Sequence, residues 1–268
     1  MQNADGPWGQ VVYSYDSNGN RTFETLTQGS TTTEWASSYP STSNLISGIG
    51  ANSVPTRQFS HDAAGNIAVD DRNGTMYAYT HNARGRLSNL TVAGAQRGAY
   101  VYDAFERLAI RTVTSGVSTT IHTIQDRSGR IIAEASGGGV TTREYIWLDD
   151  MPIAVVADVD TATPKLWFVH ADHLDRPIKM TDGAKAPVWD AIWLPFGQPH
   201  SITGPASLDM RFPGQWFQAE SGLHYNWHRQ YDPTTGRYLQ ADPLGFVDGP
   251  NLFAYALSSP IESDRTRT

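Results

Sequence analysis

Tyr79-Thr-His-Asn-Ala-Arg-Gly-Arg-Leu87 and Tyr100-Val-Tyr-Asp-Ala-Phe-Glu-Arg-Leu108 decide how the rest of this chain reads. Both follow one order: aromatic, any residue, aromatic or His, Asx, two residues, Gly or a substitute, one more residue, then Arg or an aliphatic. Tyr13-Ser-Tyr-Asp-Ser-Asn-Gly-Asn-Arg21 and Phe59-Ser-His-Asp-Ala-Ala-Gly-Asn-Ile67 repeat it. Ile124-Gln-Asp126-Arg-Ser-Gly129-Arg-Ile131 and Tyr145-Ile-Trp-Leu-Asp149-Asp-Met-Pro-Ile153 are looser copies. The Asx positions 16, 62, 82, 103, 126 and 149 lie 46, 20, 21, 23 and 23 residues apart. The first step spans two periods and predicts a degenerate copy near Trp35–Ile46.

The physics of the motif is a β-hairpin. Residues two apart on a strand share a face, so both aromatics point the same way. The Asx oxygen caps the turn, and Gly supplies the positive φ. The residue after the turn starts the return strand and packs its aliphatic chain beside the preceding ring. One such hairpin cannot bury its apolar face alone and needs neighbours, which favours a repeat array over unrelated hairpins in a sandwich.

Composition agrees. The 268 residues carry 12 Tyr, 8 Trp, 24 Gly and 15 Pro, a balance suited to short strands and many turns. A net charge of -7 with no basic run argues against a nucleic-acid partner. With no Cys, there are no disulfides, no thiolate catalysis and no Cys-ligated zinc. No apolar stretch is long enough for a membrane-spanning helix, and Met1-Gln-Asn-Ala-Asp-Gly shows no signal peptide. The expectation is a soluble bacterial protein, cytoplasmic before export and then secreted or surface-located by a route the sequence does not display.

The repeat resembles the YD repeat of the Rhs family, which includes polymorphic toxins and the C components of insecticidal toxins. The C-terminal third strengthens the likeness. His170-Ala-Asp-His173-Leu-Asp-Arg-Pro177, Val188-Trp-Asp-Ala-Ile-Trp-Leu-Pro-Phe-Gly197, Arg211-Phe-Pro-Gly-Gln-Trp216, Glu220-Ser-Gly-Leu-His-Tyr-Asn226, Arg229-Gln-Tyr-Asp-Pro-Thr-Thr-Gly-Arg-Tyr-Leu239 and Gly249-Pro-Asn-Leu-Phe-Ala-Tyr255 resemble the Rhs repeat-associated core in order and spacing. The resemblance implies an all-β fold, with hairpins forming a spiralling curved sheet that is part of a β-cocoon shell capped by the core. It divides the chain into an N-terminal tail at 1–10, YD repeats at 11–167, the Rhs-associated core at 168–257 and a degenerate autocleavage tail at 258–268. The period is expected to break after Phe168.

The same resemblance implies a structural encapsulation module whose partners are the remaining shell or a C-terminal toxin polypeptide, the toxin domain itself being absent here. It also implies an aspartyl-type autoprotease at the end of the core, with two D-P-x-G elements. Asp242-Pro-Leu-Gly-Phe246 matches the first. Of the second only Asp264 matches, with Arg265, Arg267 and Thr268 where Pro, Gly and Leu belong. Asp242 and Asp264 are therefore the candidate catalytic pair. Two carboxylates held together share a proton, so one can act as acid and the other as base. With the second element degraded, self-cleavage is expected to be lost.

No cofactor is expected. His170, His173, Asp172 and Asp175, and separately His224 and His228, are weighed as metal ligands and read instead as turn and aromatic-cluster residues. The alternative function is a carbohydrate- or cell-surface-binding module, in which the Trp side chains would form an exposed aromatic row; Trp189, Trp193, Trp216 and Trp227 fall in or beside core motifs, which favours packing. Shells of the family are far longer than this chain, so the repeats are expected not to close. An open edge near Val11–Tyr15 should then expose ladder groups, leaving the chain disordered, aggregation-prone or completed by another polypeptide.

Overall fold

The computed structural model describes residues 3–255. Nineteen strands, from Asn3–Gly6 to Pro199–Thr203, form one antiparallel meander in which successive strands pair. The only helical element among the described residues is a short 3₁₀ turn, Phe246–Asp248. The hairpin reading of the motif holds in detail for every copy but the one placed on Asp149, which sits at φ 50 in a two-residue turn between Leu148 and Met151. Asp103 accepts from the backbone N–H groups of Phe105 and Arg107 at 2.8 and 3.0 Å, and the N–H of Glu106 bonds the Asp103 carbonyl at 3.0 Å. Asp16, Asp62, Asn82, Asp126 and Asp172 build the same turn. All these turns lie on one rim of the sheet. On the other rim, Asn73-Gly74 and Ala93-Gly94 make tight two-residue turns with both residues left-handed. The connection between Thr31–Ser38 and Gly48–Ala51 lies on the motif rim, where the degenerate copy was placed.

Register explains which motif residues face inward. Each motif hairpin carries a bulge just after its turn, on the return strand. Tyr102 pairs with Leu108, Val101 with Ile110, and Ala109 is skipped. Consequently Leu108 and Arg111, three residues apart, both point into the concave face beside Tyr100. The pairs Ile67/Asp70, Leu87/Leu90 and Ile131/Glu134 repeat this arrangement and are all buried. The second aromatic position then stitches one repeat to the last. Tyr102 donates to the Leu87 carbonyl at 2.8 Å, Gln125 to Leu108 at 2.9 Å, Trp147 to Ile131 at 3.0 Å and Trp193 to Pro177 at 2.9 Å.

Two expectations need correcting. The period does not break at Phe168. The turns at Asp172 and Leu194 keep the repeat geometry, the first with Asp175 (φ 60) in the Gly position, the second through the backbone pair Leu194 N–H to Gln198 at 2.8 Å. The sheet thus crosses the 167/168 boundary and continues to Thr203. Second, residues 3–6, inside the segment read as a tail, pair with 9–12. Val11–Tyr15 is therefore not an edge, its side chains Val11 and Tyr13 pack with Phe196, and the N-terminal edge is the short, polar Asn3–Gly6. The sheet stays open, as expected, with no pairing between Asn3–Gly6 and Pro199–Thr203, but it curls until its two end regions touch through side chains. The rings of Tyr13 and Phe196 sit edge to face at 5.0 Å, and the Arg21 guanidinium lies 5.2 Å from each ring centre.

Candidate functional site

What fills the curl is the chain's own C-terminal segment, residues 205–255. Its strands Trp216–Gln218, Leu223–Asn226, Arg229–Asp232 and Arg237–Tyr238 form a second, four-stranded sheet. Leu208, Met210, Trp216, Leu223, Tyr225 and Leu239 share one apolar core with the concave face of the wall. Behind them Tyr231, Tyr238, Tyr255 and Phe212 stack into a fully buried aromatic group.

Two buried ion clusters clamp this segment from within. Arg57 binds Asp70 and reaches Asp232 at 2.8 Å, and Arg72 meets Asp70 at 2.7 Å. Burial alone would raise the Asp232 carboxyl, but Arg57 and then Arg72 hold it well below the usual carboxylate range. In the second cluster Glu220 takes a forked contact from Arg111 at 3.0 and 2.6 Å and the Tyr100 hydroxyl at 2.7 Å. Asp209 lies 3.8 Å from Arg111 and, with Glu134, is pushed up mainly by burial. Asp70, Arg111 and Glu134 are the inward residues created by the bulges. Sequence reasoning missed them as a set, although a charge three residues after each motif aliphatic was the signal. Backbone contacts complete the clamp: Arg72 to the Ser221 carbonyl (3.2 Å), Arg86 to His228 (3.0 Å) and Asn251 to Asn18 (3.2 Å).

Of the candidate pair, Asp264 lies outside the described residues. Asp242 occupies a turn with the chemistry of the repeats: its carboxylate accepts from the Leu244 N–H at 2.9 Å, and the Gly245 N–H (φ 71) bonds its carbonyl at 3.0 Å. Its other oxygen meets Arg229 at 2.8 Å, and that guanidinium stacks 3.7 Å over the Tyr238 ring. The histidines separate. His170 pairs with the Thr181 hydroxyl at 3.0 Å, His224 is fully buried with Nδ1 2.7 Å from Gln215 Oε1, and His228 lies in the turn between two strands. A helical i, i+4 alignment of His224 and His228 does not form. Every Trp is at least partly buried; Trp189, Trp193 and Trp216 are fully so, and Trp227 lies against Gly129.

The Teneurin YD-shell family matches residues 3–250. The chain is 38% identical over 96 residues to toxin protein Tse5 of Pseudomonas aeruginosa, covering 36% of this chain and 7% of that protein. It is 26% identical over 229 residues to double-stranded DNA deaminase toxin A of Burkholderia cenocepacia, covering 74% of this chain and 16% of the toxin. It therefore spans a small part of either relative. Among solved structures, a Photorhabdus luminescens Tc holotoxin pore superposes with a TM-score of 0.65 at 14% identity over 95% of this chain and 15% of its own. TcdB2-TccC3 gives 0.65 at 16% identity over 96% and 16%. With the hairpin array in place, the chain belongs to the Teneurin YD-shell family.

Proposed function

We propose that the chain is the terminal turn of an encapsulating shell of a polymorphic toxin, in which the hairpin wall is closed from inside by residues 205–255. The observation that carries this reading is the clamp. Inward charges on distant wall strands, Arg57, Asp70, Arg72 and Arg111, are each satisfied by or linked to the inner segment. A plug held in this way seals one rim, while the short edge Asn3–Gly6 offers ladder groups to further shell. A toxin polypeptide and the rest of the shell are the partners this implies, and toxin-shell relatives point to delivery outside the producing cell. No helix among the described residues is long and apolar enough to cross a membrane.

The test is a hybrid in which this chain replaces the matching segment of the Burkholderia toxin. A monodisperse hybrid as protease-resistant as its parent is the expected result, and one cut throughout sinks the proposal. The vestigial reading of the Asp242 and Asp264 pair rests on the second element, where only Asp264 remains of the motif. An Asp242→Asn chain with the same mass profile over time as the parent supports it. A carbohydrate role predicts an exposed aromatic row, and the Trp residues do not supply one.

A further inference from the structure

The nineteen wall strands alternate in direction, each antiparallel to the next. The first, Asn3–Gly6, and the last, Pro199–Thr203, are both odd in that order, so they run the same way, from the motif rim towards the other rim. A closed ring of antiparallel neighbours needs an even number of strands. These two edges therefore cannot continue the antiparallel ladder by pairing with each other, however far the wall curls.

The curl nevertheless brings both edges to one place. Ala4 and Trp8, from the first hairpin, pack on the cluster of Val11, Tyr13 and Phe196, and Phe196 belongs to the turn that leads into Pro199–Thr203. The seam is bridged by side chains and has no backbone pairing across it. Its lining shows what fits there. Ile202 pairs with Ala191 and so faces the concave side, yet it stays 41% exposed at the edge. Ala4, opposite the buried Val11, faces the same side and is only half-buried. Asn3, Asp5, Ser201 and Thr203 face outward. Both edges thus alternate apolar inward with polar outward positions, and Pro199 removes a ladder donor only at the start of its strand.

We infer that the seam between Asn3–Gly6 and Pro199–Thr203 takes one extended polypeptide strand, antiparallel to both edges, apolar where it faces inward over Ala4 and Ile202, and basic where it lies outward beside Asp5. Nineteen strands plus one make an even count and close the ladder, whereas a two-stranded hairpin would restore the mismatch. A strand held on both sides leaves no edge for a meander to continue from, so neighbouring shell polypeptide enters the sheet here with that strand alone. This follows from strand direction and holds whether or not the chain encloses a toxin.

Two insertions between Met1 and Gln2 of the full chain test this. One adds a single strand, Val-Lys-Val-Thr-Val, followed by an Asn-Gly turn, which sets its Lys opposite Asp5 and a Val opposite Ala4. The other adds two such strands as a hairpin. Amide hydrogen exchange at 3–6 and 199–203 is read by mass spectrometry. The single strand should slow exchange at both edges by about tenfold, and the hairpin should slow it at Asn3–Gly6 alone. Should the enlarged chains not fold, the blocked peptide Ac-Val-Lys-Val-Thr-Val-NH2, added at millimolar concentration to the parent chain, should slow both edges together. A single strand or peptide that protects one edge or neither, or a hairpin that protects both, overturns the assignment. So does protection of 199–203 that appears in the parent as its own concentration rises, since the edge would then pair with a second copy.

Discussion

The wall and the inner segment use the same residue types for opposite purposes. In the wall, Asp103 bonds its own turn and the Arg107 side chain four residues on at 2.9 Å, and Arg107 passes a hydrogen bond to the Asp126 carbonyl of the next turn at 3.0 Å. The contact is local, partly exposed and repeated at Asp126/Arg130 and Asp172/Arg176. In the inner segment, Asp232 also caps a turn, through Thr234 N–H at 2.9 Å, yet its second oxygen meets Arg57, 175 residues away in sequence. The wall spreads its stability over interchangeable units, and the inner segment concentrates it in a few buried contacts that cannot substitute for one another.

Breaking the buried side should have the largest effect. Asp232→Ala leaves Arg57 and Arg72 short of countercharge in the interior, and urea denaturation should show a loss of about 3–5 kcal/mol. A loss below about 1 kcal/mol would mean the clamp is not what holds the segment.

Acid should act on the same region next. Burial holds the imidazole of His224 well below its ordinary value, so the folded state keeps it neutral while the unfolded chain protonates it near pH 6.5. Its contribution is complete above that pH and falls as pH drops below it, by about 1.4 kcal/mol per pH unit until the folded value is reached. Asp232, depressed in the folded state, contributes fully above about pH 4 and is lost only below that. The urea midpoint should therefore fall from pH 7 to pH 5, and His224→Gln should flatten that fall. An unchanged slope in the variant would place the titration elsewhere.

Wall changes should be smaller. Asp103→Ala removes the turn's side-chain acceptor and should cost about 1–2 kcal/mol, read by thermal melting, with the neighbouring turns intact. Smallest, and of opposite sign, is Lys185→Gly. Lys185 holds the left-handed position (φ 67) of the turn begun by Asp182, is exposed, and should yield up to about 1 kcal/mol when replaced. A destabilised Lys185→Gly chain would show that backbone freedom in the unfolded state outweighs the strain removed.

The hairpin period was legible because each turn is encoded within nine consecutive residues such as Tyr100–Leu108, and the rings, Asx cap and return aliphatic all act locally. Its persistence past Phe168 was obscured because Asp175 replaces Gly and Leu194 replaces Asx, while the backbone pairing that defines the turn survives both changes. The buried edge at Val11–Tyr15 was not legible, since the side chain that covers Tyr13 comes from Phe196 at the far end of the sheet. The Asp242 motif was readable as a motif but not as an environment: nothing in Asp-Pro-Leu-Gly names Arg229 as its partner.

By itself, then, the sequence determined the strand, the turn and the repeat, all set by side chains acting on their own backbone and nearest neighbours. The tertiary structure alone decided that the sheet curls around residues 205–255 and that bulges turn Asp70, Arg111 and Glu134 inward. Those outcomes depend on the sum of small twists and register shifts over nineteen strands, and on ion pairs between residues more than a hundred positions apart, which no local pattern records.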